Sequence, residues 1–280
     1  MVRIVTDSAA DFEPQELARL NVACIPLRVR IDEIDYEENL NLGKDQFYRL
    51  LAGSEQLPKT SQAPPQVLLD LIEQAQAAGE PIIYITLSSA LSGTYQSALA
   101  ARELTGYEQC YIVDSKNATG GQRILVEQAA KLRDEGKTAS QIVEAVEALR
   151  SRIVLYACID TLEYLYKGGR INRAVYTIGS VAQIKPIIRV NADGGLDVPG
   201  KAMGMRRGMD TLQKKAEQLP PDAAYPFYVM YTDSREVGRT LAQLLTDRGC
   251  PVPEERIIQV GAAIGTHIGP NACGLVYVCE

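Results

Sequence analysis

The stretch that decides the fold reads Pro81-Ile82-Ile83-Tyr84-Ile85-Thr86-Leu87-Ser88-Ser89-Ala90-Leu91-Ser92-Gly93-Thr94-Tyr95-Gln96-Ser97-Ala98. Its first six residues form an apolar run of strand length, and the residues that follow Ser97 favour a helix. Serines and a glycine therefore lie where a buried strand turns into a helix. Ligands of open α/β sheets bind at the carboxyl ends of strands, and a helix N-terminus suits an anion. The alternative is a serine-rich helix cap without a ligand.

The rest of the N-terminal half alternates in the same way between strands and helices. Strands are predicted at 2–6, 22–25, 27–31, 82–86 and 110–113, and helices at 44–51, 67–78, 122–134 and 140–149, with a further helix opened by Pro14. The acidic residues 32–38 are interpreted as a turn and the proline-flanked residues 57–65 as a loop. This alternation predicts a mostly parallel sheet with helices on both faces.

The pattern changes after about residue 150. A predicted hairpin spans 186–199 with a glycine-rich turn, helices are predicted at 209–219 and 237–245, and His267 falls in a glycine-rich loop between the last two strands. We therefore predict an α/β protein of two domains. Residues 1–150 form a three-layer α/β/α domain and residues 151–280 an α+β domain, with an approximate boundary that the chain is free to cross.

Three apolar strands end in an aspartate followed by a serine. The three sites are Thr6-Asp7-Ser8, Val113-Asp114-Ser115 and Thr232-Asp233-Ser234. Each pair is suited to capping the helix that follows or to forming a turn. Their recurrence predicts a polar rim along one edge of the sheet.

Composition excludes several classes of partner. The chain has 280 residues, of which 46% are hydrophobic and 23% charged, as in soluble globular proteins. Its net charge of −6 and the lack of a lysine- and arginine-rich block argue against nucleic acid as a partner. No apolar run approaches the ~18 residues that span a bilayer, and Asp7 comes too early for a signal peptide. Six widely spaced cysteines without C-x-x-C suit a reducing compartment. We expect a cytoplasmic protein without a membrane span.

The common enzyme motifs are absent from the sequence. There is no P-loop and no G-x-G-x-x-G fingerprint, and the single histidine weakens any metal site, so no metal ligands are predicted. An acyl hydrolase or acyltransferase that uses Ser92 and His267 stays open, although Ser92 lacks the first glycine of G-x-S-x-G. A pure protein-interaction module is a third alternative.

Seven motifs, in order along the chain, resemble those of the DegV family, the bacterial fatty-acid-binding proteins of FakB type. They are Val5-Thr6-Asp7-Ser8-Ala9-Ala10-Asp11, Lys59-Thr60-Ser61-Gln62, Ser88-Ser89-Ala90-Leu91-Ser92-Gly93-Thr94-Tyr95, Val113-Asp114-Ser115, Leu162-Glu163-Tyr164-Leu165-Tyr166-Lys167-Gly168-Gly169-Arg170-Ile171, Lys185-Pro186-Ile187-Ile188 and Gly265-Thr266-His267-Ile268-Gly269-Pro270. Each motif alone is weak. Together they are specific, and they extend over essentially the whole chain.

The resemblance implies a DegV-like fold that buries one long-chain fatty acid, of the palmitate or oleate class, between two domains and needs no cofactor. In such proteins hydroxyls of a threonine-serine loop, a serine-glycine turn and a histidine hold the carboxylate. The corresponding residues here are Thr60, Ser61, Ser92, Gly93 and His267, with Arg170 either close to the ligand or capping a turn. The chemistry agrees, because a carboxylate that leaves water needs charge-assisted hydrogen bonds.

The resemblance also implies a carrier rather than an enzyme. A separate dihydroxyacetone-kinase-like fatty acid kinase would phosphorylate the carboxylate, and the acyl-phosphate would enter phospholipid synthesis. The basic segment linked to kinase docking departs from the family pattern, since Met203 replaces the first expected arginine. Arg206 and Arg207 remain candidate docking residues, and the alternative for them is a solvated helix start.

Overall fold

The structure is a computed structural model that describes residues 1–179 and 183–280. Its strands are β1 Arg3–Asp7, β2 Val22–Ile25, β3 Arg28–Ile31, β4 Ile34–Glu37, β5 Lys59–Ser61, β6 Ile82–Thr86, β7 Cys110–Asp114, β8 Ile153–Cys158, β9 Ile184–Val190, β10 Leu196–Met203, β11 Tyr228–Tyr231, β12 Ile257–Gln259 and β13 Cys273–Val278. Its helices are α1 Pro14–Leu20, α2 Lys44–Gly53, α3 Pro65–Ala78, α4 Thr94–Thr105, α5 Thr119–Asp134, α6 Ala139–Arg150, α7 Glu163–Lys167, α8 Arg173–Gly179, α9 Gly204–Gln218, α10 Arg235–Thr246 and α11 Ala262–Ile268. Short 3₁₀ turns cover Ser8–Ala10 and Glu254–Arg256.

The N-terminal half contains a parallel sheet with the strand order β2-β1-β6-β7. Alternate residues of its strands face opposite layers, as the period of a strand requires. Ile83 and Ile85 pack with α5 and α6 on one face, whereas Ile82 and Tyr84 pack with α3 and α4 on the other. The predicted three-layer α/β/α arrangement is confirmed.

The C-terminal half contains a mixed six-stranded sheet with the order β10-β9-β8-β13-β11-β12. Its neighbouring strands run antiparallel except for β11 and β12, which are parallel. The predicted hairpin is confirmed as β9 and β10. Helices α9 and α10 pack their apolar side chains on one face of this sheet, where the core includes Leu212, Leu241 and Leu275. The protein is thus of the predicted α/β class.

Helix α5 packs between the two large sheets. One continuous core contains Ile85 of β6, Ile124 of α5 and Val276 of β13. The approach is close at Gly120, where an added Cβ would lie 2.4 Å from the Val276 Cγ1 atom. Only glycine permits that approach. Because α5 belongs to the core of both sheets, residues before and after position 150 share one core. The domain boundary at residue 150 stays a prediction.

A third, small sheet has the order β4-β3-β5 and corrects two of our predictions. Residues 34–37 form strand β4 rather than a turn. The turn itself is confined to Asp32 and Glu33, which both have positive φ, as a tight hairpin turn requires. Residues 59–61 form strand β5 inside the segment predicted as a loop. The flanking prolines allow this because β5 lies at the edge of its sheet.

Two further predictions are wrong. His267 lies on helix α11 rather than in a loop, because Gly261 precedes the helix and Gly269, with a φ of 77°, ends it. Gly261 and Gly269 are therefore helix boundaries, whereas Gly265 lies within the helix. The three aspartate-serine strand ends do not share one sheet edge either. Asp7 and Asp114 end strands of the parallel sheet, whereas Asp233 follows β11 of the mixed sheet.

The contact at Gly120 gives a stability prediction. We expect Gly120→Ala to lower the free energy of unfolding by about 1–3 kcal/mol, since the new methyl group overpacks the contact with Val276. Urea denaturation measures the change. Gly53→Ala, which adds a methyl group with no other atom within 4 Å, serves as the control and should not destabilise the protein. Equal stabilities for the two variants would contradict this view of α5.

Candidate functional site

The turn between β6 and α4 is held from both sides by carboxylates. The backbone N–H of Leu87 donates to Asp7 Oδ2 at 2.8 Å, and that of Ser89 donates to Asp114 Oδ1 at 3.1 Å. The Ser89 hydroxyl donates to Asp114 Oδ2 at 2.6 Å. Asp7 and Asp114 end the strands on either side of β6, so the parallel sheet itself sets the position of the serine-rich turn.

An apolar cavity of about 390 Å³ lies at the N-terminal end of α5, where Ala118 and Thr119 form part of its wall. Its volume falls in the range of about 300–1,000 Å³ found for small-molecule sites. The wall is mostly aliphatic and includes Leu27, Leu87, Leu91, Leu155, Ala157, Leu165, Ile188, Val190, Leu196, Met230, Val260 and Ile264. The sequence predicts none of these residues as part of a cavity wall, because aliphatic residues that line a cavity have the same pattern as those of an ordinary core.

We call the polar residues around the contact between Thr60 and His267 the polar end of this cavity; Thr119, Tyr231 and Thr232 line the cavity as well. The six residues singled out around the ligand all line it: Thr60, Ser61, Ser92, Gly93, Arg170 and His267. They come from β5, the β6–α4 turn, the segment after α7 and helix α11. Gln62 lines it as well and was missed, although it follows Thr60 and Ser61 in the same motif. Arg206 and Arg207 lie elsewhere, exposed in the first turn of α9.

His267 and Thr60 form a hydrogen-bonded pair, with 2.8 Å between His267 Nε2 and Thr60 Oγ1. Gly168 leaves room for the imidazole, since a Cβ there would lie 2.2 Å from His267 Nδ1. Burial, helped by the charge of Arg170, lowers the pKa of His267 to about 4. The ring is therefore neutral at pH 7 and carries one N–H. Its Nδ1 atom is buried and has no hydrogen-bond partner among residues 1–179 and 183–280.

Ser92 and Gly93 form the start of α4. The Ser92 Oγ atom lies 2.9 Å from Thr94 Oγ1 and accepts a hydrogen bond of 3.3 Å from the Thr94 backbone N–H. Gly93 occupies the N-cap position, and an added Cβ there would lie 2.9 Å from Gln62 Oε1. Ser92 therefore caps the helix and also presents its hydroxyl to the cavity. The partial positive charge of the helix N-terminus favours an anion there.

Arg170 places a cation beside these groups. Its Nε donates to the carbonyl oxygen of Leu91 at 3.0 Å, and its guanidinium also donates to the carbonyl oxygen of Gly168. Within the described part of the chain, the structure gives Arg170 no carboxylate partner. Burial lowers its pKa below the ordinary arginine value, but arginine remains charged at neutral pH. The polar end thus combines hydroxyls, a neutral imidazole and one cation that no carboxylate of the described residues neutralises.

A second, outer cavity of about 770 Å³ adjoins the polar end. It shares Thr60, Arg170 and His267 with the inner cavity and is also lined by Lys59 and Lys167. These shared residues form the boundary between the two spaces. The outer cavity therefore lies against the polar end of the inner one.

The described residues offer no group of three or more histidine, cysteine, aspartate or glutamate side chains arranged to hold a metal ion. All six cysteines are free thiols. In the same ranges of the chain, no helix combines the length and the apolar character that crossing a membrane requires.

Comparisons with known proteins match the whole chain to proteins of one family, DegV. The family model for DegV, described as an uncharacterised protein family, matches residues 1–280. A DegV domain-containing protein of Caldanaerobacter subterraneus is 32% identical and is covered over 98% of its length by 99% of this chain. A DegV family protein from Thermus thermophilus, described by its fatty acid binding, has a TM-score of 0.89 at 25% identity, with 100% and 99% of the chains covered. A fatty-acid-binding DegV protein from Streptococcus agalactiae has a TM-score of 0.89 at 26% identity with the same coverage.

The site geometry predicts that the charge of Arg170 lowers the pKa of His267, the only histidine of the chain. We expect Arg170→Gln to raise the pKa of His267 above its value of about 4, because a neighbouring positive charge is removed. Burial should still keep it below the ordinary ~6.5. NMR titration of the ring protons measures this without ambiguity. Arg173→Gln, an exposed change on α8, is the control, and an unchanged His267 pKa in Arg170→Gln would refute the electrostatic contact.

Proposed function

The chain belongs to the DegV family, and on that premise we propose that it binds one long-chain fatty acid. The tail occupies the inner cavity, and the carboxylate lies among Thr60, Ser92 and His267, with the backbone of Ser61 and Gly93 close by. A saturated or monounsaturated chain of the palmitate or oleate class is the ligand, and no cofactor takes part.

One observation carries this proposal: a largely aliphatic cavity contains a cluster of polar side chains beside Arg170, a cation that has no carboxylate partner among the described residues. Burying the tail contributes about 0.8 kcal/mol per methylene group. A carboxylate that leaves water must recover its hydrogen bonds, and charge-assisted bonds are the strong ones. Hydroxyls of Thr60 and Ser92 and the neutral imidazole of His267 supply such donors. Arg170 adds an attractive field, while its Nε–H and one Nη1–H bond to the carbonyl oxygens of Leu91 and Gly168.

The outer cavity supports a carrier role. It adjoins the inner cavity at Thr60, Arg170 and His267, the side from which we expect a separate protein to reach the carboxylate. On this proposal a dihydroxyacetone-kinase-like fatty acid kinase phosphorylates the bound carboxylate, and the acyl-phosphate is delivered to phospholipid synthesis. The exposed Arg206 and Arg207 contribute to docking of that kinase. On this proposal the protein itself performs no catalysis and works in the cytoplasm. Its two domains are residues 1–150 and 151–280.

The hydrolase alternative is not favoured by the hydrogen bonds of the site. A serine nucleophile needs a base within hydrogen-bond reach. The Ser92 hydroxyl bonds to Thr94 and His267 bonds to Thr60, and the structure gives no bond between Ser92 and His267 in its described residues. Ser92 also lacks the strained glycine-flanked turn of acyl hydrolases.

Lipid extraction followed by mass spectrometry tests the proposal directly. We expect the purified protein to carry fatty acid in stoichiometric amount, or the delipidated protein to bind added palmitate with one site. Protein that is free of lipid and takes up none would overturn the proposed function. Detectable ester hydrolysis that Ser92→Ala abolishes would favour the hydrolase instead.

Site variants test where the carboxylate lies. We expect Ser92→Ala and His267→Ala each to weaken palmitate binding about tenfold or more, which corresponds to ~1.4 kcal/mol for one lost charge-assisted bond. Calorimetric titration measures the dissociation constants, and circular dichroism checks folding. Ser97→Ala lies on the same helix and outside the cavity wall, so it should bind palmitate as the original chain does. Unchanged affinity in both site variants would refute the assignment.

A further inference from the structure

Two buried carboxyl groups hold the N-terminus of α11, the helix that carries His267. Asp11 Oδ1 accepts a hydrogen bond of 2.8 Å from the backbone N–H of Gly261. Glu38 Oε1 accepts one of 3.1 Å from the backbone N–H of Ala263. Each of the two acidic residues is only 1% exposed. Free N–H groups of a helix start are thus satisfied by side chains that are more than 200 residues away in sequence.

The two carboxyl groups are close to each other. A Cβ added to Gly261 would lie 2.2 Å from Glu38 Oε1 and 2.9 Å from Asp11 Oδ1, so these oxygens are within about 5 Å of one another. The second oxygens, Asp11 Oδ2 and Glu38 Oε2, are buried and have no hydrogen-bond partner in the described residues. Two negative charges at this distance in a buried place repel strongly.

Few of the surrounding charges compensate the pair. Lys44 of α2 is close, but its Nζ donates to the backbone oxygen of Asp11 at 2.8 Å and to Glu13 Oε1 at 2.7 Å. Arg123 of α5 is engaged with Glu16 and Glu127. The other polar and titratable groups that face the pair or its neighbours are Ser8, Asp7, Cys24, Tyr48, Tyr231 and Asp233. None of these six side chains is a cation.

Burial therefore opposes ionisation of both groups at once. It raises the pKa of Asp11 to about 8, with the charge of Glu38 acting in the same direction and Lys44 opposing it. It also raises the pKa of Glu38. Titration of such a pair belongs to the two groups together rather than to either one.

Helix α11 connects this pair to the ligand site. The Tyr48 hydroxyl donates to the carbonyl oxygen of Val260 at 2.9 Å, just ahead of the helix. Gly265 packs directly on α2, where a Cβ would lie 2.6 Å from the Tyr48 hydroxyl oxygen. His267 follows near the other end and reaches Thr60. The helix has only seven residues, so its start and His267 lie within about two turns of each other.

We propose that Asp11 and Glu38 are positioning residues that share one proton at neutral pH and thereby hold α11 in the place from which His267 reaches Thr60. Loss of the shared proton puts two charges at the start of the helix, displaces His267 and weakens the carboxylate site. The effect on the position of His267 concerns the protein without a ligand. Only the effect on carboxylate binding rests on the proposed function.

The sign of the pH dependence follows from the raised pKa values. The folded protein keeps a proton that the unfolded chain has already released, so the pair stabilises the folded state most below the ordinary carboxyl pKa of ~4. That contribution is lost as the pH rises towards about 8, the value for Asp11 in the folded protein. His267 itself, with a pKa of about 4, does not titrate above neutrality.

NMR of the single histidine tests the proposal in the tag-free, lipid-free protein. We expect the His267 ring signals to show an inflection near pH 8, although the ring is neutral throughout that range. Asp11→Asn and Glu38→Gln keep a hydrogen-bond acceptor but remove one charge, so the inflection should disappear in both. Asp7→Asn removes another buried carboxylate that contacts Leu87 rather than α11, and it should keep the inflection.

Palmitate affinity gives the second measurement. For the original chain we expect at least about fivefold weaker binding at pH 9 than at pH 7, the lower end of usual coupling between sites, and a much flatter profile for Glu38→Gln. A His267 signal in the original chain without an inflection near pH 8 overturns the proposal, even if the variants fail to fold. An inflection that persists in the folded variants also overturns it. Lack of palmitate binding alongside the expected inflection overturns the proposed function only.

Discussion

The packing of α5 between two sheets is the constraint on which the rest of the molecule depends. Gly120 lets the helix touch β13, and the same helix covers the parallel sheet through residues such as Ile124. The cavity begins where this helix begins, because Ala118 and Thr119 form part of its wall. Residues of both halves of the chain, such as Leu87 and Leu155, line this cavity, and most of its wall is aliphatic.

The polar end of the cavity depends on elements that are far apart in sequence. Thr60 comes from the small sheet, Ser92 from the turn after β6, and His267 from α11. Each is fixed by a buried contact: β5 pairs with β3, Asp7 and Asp114 hold the turn, and the Asp11–Glu38 pair holds the helix. Burying these acids is costly, and backbone N–H groups offset part of that cost. The result is a set of donors that needs little reorganisation when an anion arrives.

The sequence was informative where apolar periodicity or a full motif was present. The run at Ile82–Thr86 predicted the parallel sheet, and the motifs containing Thr60, Ser92 and His267 predicted residues that the fold brings to one cavity. Strand β4 was missed because Asp32 and Glu33 adopt positive φ without glycine, and an acidic edge strand lacks the apolar signal. The sequence predicts a loop in place of helix α11, because glycines precede the helix, lie inside it and end it, and closely spaced glycines are typical of loops. The cavity wall was unpredictable, because its aliphatic residues have the spacing of core.

The proposed function places the carboxylate end of a fatty acid, rather than its methyl end, against His267. Isotope-filtered NOE measurements with palmitate labelled with ¹³C at C2 test it, since the chain has one histidine and its ring signals need no assignment. We expect NOEs between the C2 protons and the His267 ring, and none from palmitate labelled at the terminal methyl. NOEs from the methyl group to His267, or bound palmitate with no NOE from C2 to the ring, would contradict the account.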